Sequence, residues 1–498
     1  MQRLKAQFMD FEPGIPIVKL NVEDATDLGL RPHDRIEVTY KKTTKTAYIE
    51  TTNTMIRQGY IGLRRESRRY GIKEGTIIHI RPAPRPVSLD IIKKKLNDIE
   101  LKKEEIYNLT KDIDQNRLTD IELGALVAAI YMHGFSERET INMTKAMIKH
   151  GEQMTWDKEC IVDKHSIGGV PGNRTTPIVV AIVAAAGLTI PKTSSRAITS
   201  PAGTADTMEV FCDVSFNFRQ IKRIVNKTNA CLIWGGSLDI APVDDKLLRA
   251  EYPLSLDPEG QVIASVLSKK KSAGSKYVLI DIPLGDGAKV SKIEKARNLA
   301  RKFKLVGRKL DMHVECAITK GDGPIGRGIG PVLEAIDIVE ILEGRGPKDL
   351  REKSIELAAL MLKMTGHGDE EKARRILDSG RALRKFNEII VAQNGDPRKD
   401  FQKMLGRYKE SICADTSGTI EQISNTAISK IARLAGAPKD KGAGVYLYFK
   451  KGQKVNKGEK LFDIYGEKKH KLKNALDKAN SCRVYIVGPK ENMLIEEI

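Results

Sequence analysis

The run Asp163–Pro177, DKHSIGGVPGNRTTP, places Lys-His-Ser ahead of paired glycines, a Pro-Gly, an arginine and two threonines. Glycines let backbone N–H groups approach an anion closely, and a helix beginning near Pro177 adds the partial positive charge of its N-terminus. From about 160 to 320, around this loop, short apolar runs alternate with amphipathic ones. Ala230–Trp234 (ACLIW) and Tyr277–Ile282 (YVLIDI) read as strands buried in a parallel sheet. Ser291 with Glu294 fits the cap of a helix that puts Ile293, Ala296, Leu299, Ala300 and Phe303 on one face. The pattern is that of an α/β domain, where ligands bind beyond the carboxyl ends of the strands.

Outward from this core the period changes. Residues 88–151 are helical: Thr119 with Glu122 and Ser136 with Glu139 fit capping boxes, Gly134 and Gly151 stand at C-caps, and ELGALVAAIYMH and TINMTKAMIKH read as well-buried helices. Before them LGLRPHDRIEV (28–38) returns as YGIKEGTIIHI (70–80), two halves of a small pseudo-symmetric β-barrel, and RPAPRP (81–86) is a stiff linker. The last 80 residues return to strands, GVYLYF (444–449) and a hairpin with Gly452, Val455, Gly458 and Leu461 at regular spacing. The expected architecture is a multidomain α/β chain: a β-barrel-like domain over 1–84, a helical domain over 88–155 with a later segment near 245–273, a mostly parallel α/β domain over 156–415, and a β-rich, hammerhead-like domain over 416–498.

A chain of 498 residues exceeds one ordinary core, which agrees with several domains. The net charge of +19 raises nucleic-acid binding, but the basic clusters RRESRR (64–69), SKKKS (268–272) and EKKHKLK (467–473) are short. With aromatics at only 5%, they read better as solvated surface beside small anionic substrates. The six cysteines form no C-x-x-C pair and read as reduced core thiols; no histidine pairing suggests a metal, so none is expected. Without a long apolar run or a signal-like N-terminus, the chain reads as soluble and cytoplasmic.

Two further clusters accompany the anion loop. In SSRAITSPAGTADTME (194–209), Ser194, Ser195, Thr199, Ser200 and Thr204 supply hydroxyls and Arg196 a bidentate donor. In LLRAEYPLSLDPEGQVIASVLSKKK (247–271), Asp257 precedes a helix whose Ser265 and Lys269 share one face at i and i+4, the outline of a base-recognition group. Read only from local context, Asp257 is equally an N-cap.

The K-H-S-x-G-G element and the pattern of Ser194, Arg196, Gly203, Thr204, Asp206 and Glu209 resemble the signatures of the thymidine phosphorylase family of nucleoside phosphorylases. The domain order over 88–498 is similar too. The loop Gly168–Arg174, the AITSPAG segment and the added N-terminal barrel depart from that family and resemble its archaeal AMP phosphorylase branch. The resemblance implies a pentosyltransferase that converts AMP, with CMP and UMP as further substrates, and phosphate to free base and ribose 1,5-bisphosphate in nucleotide salvage. It implies phosphate binding by Lys164, Ser166, Thr176, Ser194 and Thr204. Nucleotide contacts follow at Gly169, Ser195, Arg196, Ala197, Ile198, Thr199, Ser200, Thr204, Ser265 and Lys289, and proton donation at Asp257. It also implies no cofactor, and homodimers that assemble further through the N-terminal domain. The rival is a pyrimidine or thymidine nucleoside phosphorylase, which has no need of a 5′-phosphate.

Three expectations go beyond the resemblance. Arg174 or Lys289 meets the 5′-phosphate. Asp257 donates a proton near neutral pH once dried by Pro253, Leu254 and Leu256 or set beside the like charge of Glu259. Gly151, Gly235–Gly236 and Gly274 are candidate hinges for closure of the helical domain over the α/β domain.

Overall fold

The computed structural model describes residues 2–10, 16–197 and 200–488. The chain forms two compact units, Met1–Gly151 with Ala241–Ser265, and Glu152–Ile240 with Val266–Ile498. Of the candidate hinges only Gly151 stands where the chain passes between them. Gly236 lies against the Trp234 ring and Gly274 against Trp156 and the Met154 carbonyl, where a Cβ would come within 2.6–2.7 Å, so close packing explains both glycines.

In the first unit, β1 (Gln2–Met9), β2 (Ile17–Asn21), β3 (Arg35–Tyr40), β4 (Thr43–Thr52), β5 (Tyr60–Arg64) and β6 (Ile77–Pro82) close into a barrel of order β1-β5-β2-β4-β3-β6. Exchanging β1–β3 for β4–β6 maps the parallel pair β1/β5 onto β4/β2 and returns the same ring. This is the two-fold repeat seen in the sequence, and its two copies of the repeated run end in β3 and β6, which pair with each other antiparallel. Leu4, Ala6, Leu20, Ile36, Ile49, Ile61, Ile78 and Ile80 fill the barrel.

The helices Ser88–Leu96, Lys103–Asp114, Asp120–His133, Glu137–His150 and Pro242–Leu254 build the rest of this unit. Both capping boxes form, with Thr119 and Ser136 accepting from the backbone of Glu122 and Glu139, whose carboxylates accept in return. The expectation of two well-buried helices holds on one face only: Ile121, Tyr131 and Met132 are exposed. A buried ion pair, Lys95–Glu139 at 3.1 Å, crosses the helix core, and the Tyr48 hydroxyl of the barrel donates to the Asn116 carbonyl (3.2 Å).

The second unit is the α/β core. The parallel strands β7 (Val162–Ser166), β10 (Tyr277–Leu284) and β11 (His313–Lys320) form one sheet of order β11-β10-β7. A second parallel pair, β8 (Ile190–Ser194) and β9 (Ala230–Trp234), adjoins it through an isolated bridge between Ile161 and Thr189. ACLIW and YVLIDI are therefore parallel strands, as their largely apolar character indicates. The Ser291 cap does not form: the helix runs Ile293–Arg308 with Lys292 at its N-cap and no side-chain cap bond. The helix Thr175–Ala185 is buried on all sides, packed among Lys348–Met364 and Arg381–Ala392, which suits its uniformly apolar TTPIVVAIVAA.

At the C-terminus, β12 (Gly328–Ile329), β13 (Tyr408–Cys413), β15 (Gly444–Leu447) and β17 (Lys460–Gly466) make one sheet, and β14 (Gly418–Ile423), β16 (Lys454–Val455) and β18 (Tyr485–Gly488) another. Because β13 pairs with β17, this module begins before residue 416 and draws β12 from the α/β chain. The cysteines are not all core thiols: Cys212 and Cys231 are buried, but Cys413 is exposed. SKKKS is not a solvated run, because Lys270 within it is fully buried. No described helix is long and apolar enough to cross a membrane.

Candidate active site

Alternation along β7 sorts its residues between two faces of the sheet. Asp163 and His165 point one way and Lys164 and Ser166 the other. On the first face Asp163 takes Lys270 (2.9 Å) and Lys192 (3.4 Å) as ion-pair partners, all of them buried. Burial lowers the Lys270 ammonium, with Asp163 opposing. Burial and the charges of Lys270, Lys192, Lys269 and Lys164 hold His165 well below the ordinary histidine range, so it is neutral at pH 7.

The other face gathers cations, hydroxyls and a helix start. Lys164, only 1% exposed, donates from Nζ to Thr175 Oγ1 (2.7 Å) and Thr176 Oγ1 (3.4 Å), and lies 3.9 Å from Asp281. Asp281, in the middle of β10, accepts from Ser166 (2.8 Å) and Thr319 (2.6 Å) and faces Lys353 at 3.4 Å. Burial pushes the Asp281 carboxyl up, but Lys164, Lys353 and the two hydroxyls outweigh it and keep it ionised. Burial pushes Lys164 down to about 8, against the pull of Asp281. The helix starts at Thr175, two residues before Pro177, so both threonines sit in its first turn, which carries no acidic residue.

Glycines bring the surrounding loops together. Gly169 (φ +92°) passes so close to the loop after β10 that a Cβ would lie 2.6 Å from the Lys289 backbone nitrogen. Gly172 (φ +69°) has the Ile325 carbonyl 2.3 Å from where its Cβ would be. The loops after β7, β10 and β11 therefore touch through backbone, which only glycine allows.

Arg174 is not available to a substrate. Its Nε meets the buried Glu334 (2.5 Å), while its Nη atoms donate to Thr204 Oγ1 (3.0 Å) and the Ala202 carbonyl (2.8 Å). The expectation that it meets a 5′-phosphate is withdrawn, because moving it would strand a buried carboxylate. Arg196 likewise makes its bidentate bond to Glu209, stacks 4.6 Å over Trp234, and shares Glu209 with Lys441 (2.8 Å). Its fork therefore serves the loop.

Thr204 opens the helix Thr204–Phe211, with Gly203 at the N-cap. Asp206 Oδ2 accepts from Ala197 N (2.6 Å) and Gly203 N (2.9 Å), folding Ser195, Arg196 and Ala197 back over the helix start. Ser194 donates to the Ile233 carbonyl (2.9 Å) and Ser200 to the Ala202 carbonyl (3.2 Å). Ile198 and Thr199 lie outside the described residues. Thr176 and Thr204 each accept from a cation, so their hydroxyl protons remain directed elsewhere, which is the state an anion needs.

The second unit thus gathers Lys164, Ser166, Gly169, Thr176, Ser194, Thr204 and Lys289 at the carboxyl ends of its strands. Asp257 and Ser265 belong to the first unit. Ser265 donates to the buried Asp244 (3.0 Å). Asp257 is exposed, as are Pro253 and Leu254, so the drying expected from these neighbours does not occur within that unit. The helix starts at Glu259 and leaves Asp257 two residues ahead of it.

Sequence reading missed Asp281, Lys353 and Glu334. One signal was present for Asp281: a carboxylate inside the apolar run YVLIDI has no reason to be buried unless paired.

Family models match three stretches: the helical bundle domain of a glycosyl transferase family at 89–151, the a/b domain of that family at 158–247, and the pyrimidine nucleoside phosphorylase C-terminal domain at 419–485. Curated relatives align nearly end to end. An AMP phosphorylase of Natronomonas pharaonis is 48% identical over 97% of both chains, AMP phosphorylase 1 of Archaeoglobus fulgidus 44% over 97% of both, and an AMP phosphorylase of Thermococcus kodakarensis 45% over 95% of both. Among solved structures, anthranilate phosphoribosyltransferase from Thermus thermophilus superposes with a TM-score of 0.52 at 15% identity, over 61% of this chain and all of that one. That likeness establishes a shared fold.

Proposed function

Because the chain belongs to the AMP phosphorylase family, we propose that its anion site holds inorganic phosphate for attack on the anomeric carbon of AMP, giving adenine and ribose 1,5-bisphosphate. CMP and UMP are the further substrates. The observation that carries this reading is Lys164, a buried ammonium at the head of a helix with a hydroxyl on each of the first two helical residues. Such a group stabilises an oxyanion and excludes water.

Phosphorolysis forms a phosphate O–C1′ bond and breaks the C1′–N bond to the base, which leaves with a proton. Lys164 supplies charge, while Thr176 and Thr204 donate hydroxyl protons to the phosphate. Ser166, whose own proton is turned to Asp281, receives the proton of a hydrogen phosphate, and Ser194 completes the shell. To the nucleotide we assign Gly169, the segment Ser195 to Ser200 and Lys289, and, from the family resemblance, Ser265. Lys289, on the loop that abuts Gly169, is the cation we assign to the 5′-phosphate. Asp257 donates the proton to the leaving base.

Incubating the protein with AMP and phosphate and analysing products tests the reading; absence of ribose 1,5-bisphosphate would overturn it. Lys289→Ala should reduce the preference for AMP over adenosine at least tenfold in kcat/KM, given the strength of a charge-assisted phosphate contact. We propose no cofactor beyond the phosphate co-substrate, so activity should persist in EDTA. We read the C-terminal module as hammerhead-like, the chain as cytoplasmic with its substrates, and the assembly as a homodimer extended through the barrel. Light scattering with and without residues 1–84 measures that last point.

A further inference from the structure

The loop Gly285–Val290 carries Lys289 and abuts Gly169, and it is held from another side by the C-terminal module. Asn425, at the first position of the helix Asn425–Ala435, is 2% exposed. Its Nδ2 donates to the Asp286 carbonyl (3.0 Å) and the Gly321 carbonyl (2.9 Å), one on the loop after β10 and the other on the loop after β11. Its Cβ packs against Gly287, where an added Cβ would lie 2.9 Å away. Gln422, one turn earlier in the chain, donates to the Asp286 carboxylate (3.0 Å). The same two loops are pressed together at Gly285, where a Cβ would fall 2.4 Å from the Asp322 nitrogen, and Lys451 pairs with Asp322 at 2.7 Å.

A single amide that gives both N–H groups to carbonyls on different loops fixes the distance between them. The Gly321 carbonyl is buried and needs such a donor, whereas Asp286 lies at the surface, so the buried amide ties an exposed loop to an enclosed one. We propose that Asn425 is a positioning residue for the nucleotide: through it the C-terminal module sets the Lys289 loop against Gly169 and fixes where the 5′-phosphate is received. This rests on the assignment of Lys289 to the nucleotide side. Asn425 touches no substrate in this scheme, and the phosphate shell at Lys164 is built without it.

The test is a comparison of Michaelis constants in the full chain. Asn425→Ala removes the strut, and Asn425→Asp keeps its shape while turning a carboxylate toward two carbonyl oxygens. Both should raise KM for AMP by about 10- to 100-fold, the scale expected for misplacing a substrate-positioning group by about 1 Å. KM for phosphate should stay within about twofold, because that site belongs to β7 and the helix after it. Gln422→Ala, at the loop surface, should move KM for AMP in the same direction by about threefold, and it serves if the Asn425 variants do not fold. Equal rises in both KM values, or an unchanged KM for AMP beside a lowered melting temperature, overturn the proposal and leave Asn425 a structural residue. Lys289→Ala is measured alongside. If it keeps the preference for AMP, the assignment of that loop fails and the proposal with it; if it loses the preference while Asn425 and Gln422 variants keep their KM for AMP, the positioning role alone fails.

Discussion

Lys164 is a charge held in a buried site, and its chemistry follows from that. With burial pushing its ammonium down to about 8, it is charged at pH 7 and loses its proton well before an exposed lysine would. The kcat/KM for phosphate should therefore fall as pH rises through about 8, and Lys164→Met should lower it about 100-fold or more. A bound phosphate favours the charged lysine, so kcat should hold to higher pH than kcat/KM; coincident profiles would exclude Lys164 as the titrating group. The stability consequence has the opposite sense. The folded state disfavours the proton, so this group destabilises the fold below about 8, and stability rises with pH between about 8 and 10.5 as the unfolded chain loses it too. At Arg174 the expected effect is on folding. Removing it leaves Glu334, 1% exposed and already raised by burial, without its cation. Arg174→Ala should cost about 3–5 kcal/mol in denaturant unfolding, whereas the double change with Glu334→Leu should recover much of that loss.

At the scale of elements, two helix starts and three strand ends make the site. The helix Thr175–Ala185 begins two residues earlier than the proline suggested, and that shift puts both threonines where helix N–H groups are unsatisfied. The segment after β8 depends on Gly203, where an added Cβ would meet the Ser195 carbonyl at 2.5 Å. Gly203→Ala should displace Ser195–Ala197 and lower activity at least tenfold, with the unfolding midpoint little changed if the helix core is intact. An unchanged kcat/KM would show that this loop does not contact substrate. The capping boxes at Thr119 and Ser136 were legible in the chain because a cap is local, involving residues three apart. The Ser291 cap was not realised although its spacing was the same, because the helix begins at Ile293 with Lys292 as its cap. Short-range pattern leaves several starts open, and packing of Ala296, Leu299 and Phe303 selects one.

At the scale of the molecule, the charge of +19 does not act as one field. Lys270 of SKKKS is buried against Asp163, and Lys164 and Lys353 against Asp281. Part of the excess basic charge is thus enclosed in the α/β core. Salt should accordingly have less effect on KM for phosphate than on contacts at the exposed basic runs, since buried pairs are screened little.

The amino-acid sequence by itself determined the order of barrel, helical domain, parallel α/β core and C-terminal strands, together with the glycine-rich turn and helix start of Asp163–Pro177, because periodicity, glycine placement and capping act over a few residues. Only the tertiary structure showed which cations of the motifs are held by carboxylates. Arg174 and Arg196 lie in the motifs but are bound to Glu334 and Glu209, 160 and 13 residues away. It also revealed Asp281, which accepts from residues of β7 and β11, and Asn425, which donates to the loops after β10 and β11. A buried donor or carboxylate is defined by its partners, and those partners are brought to it by strand pairing and glycine contacts between segments far apart in the chain.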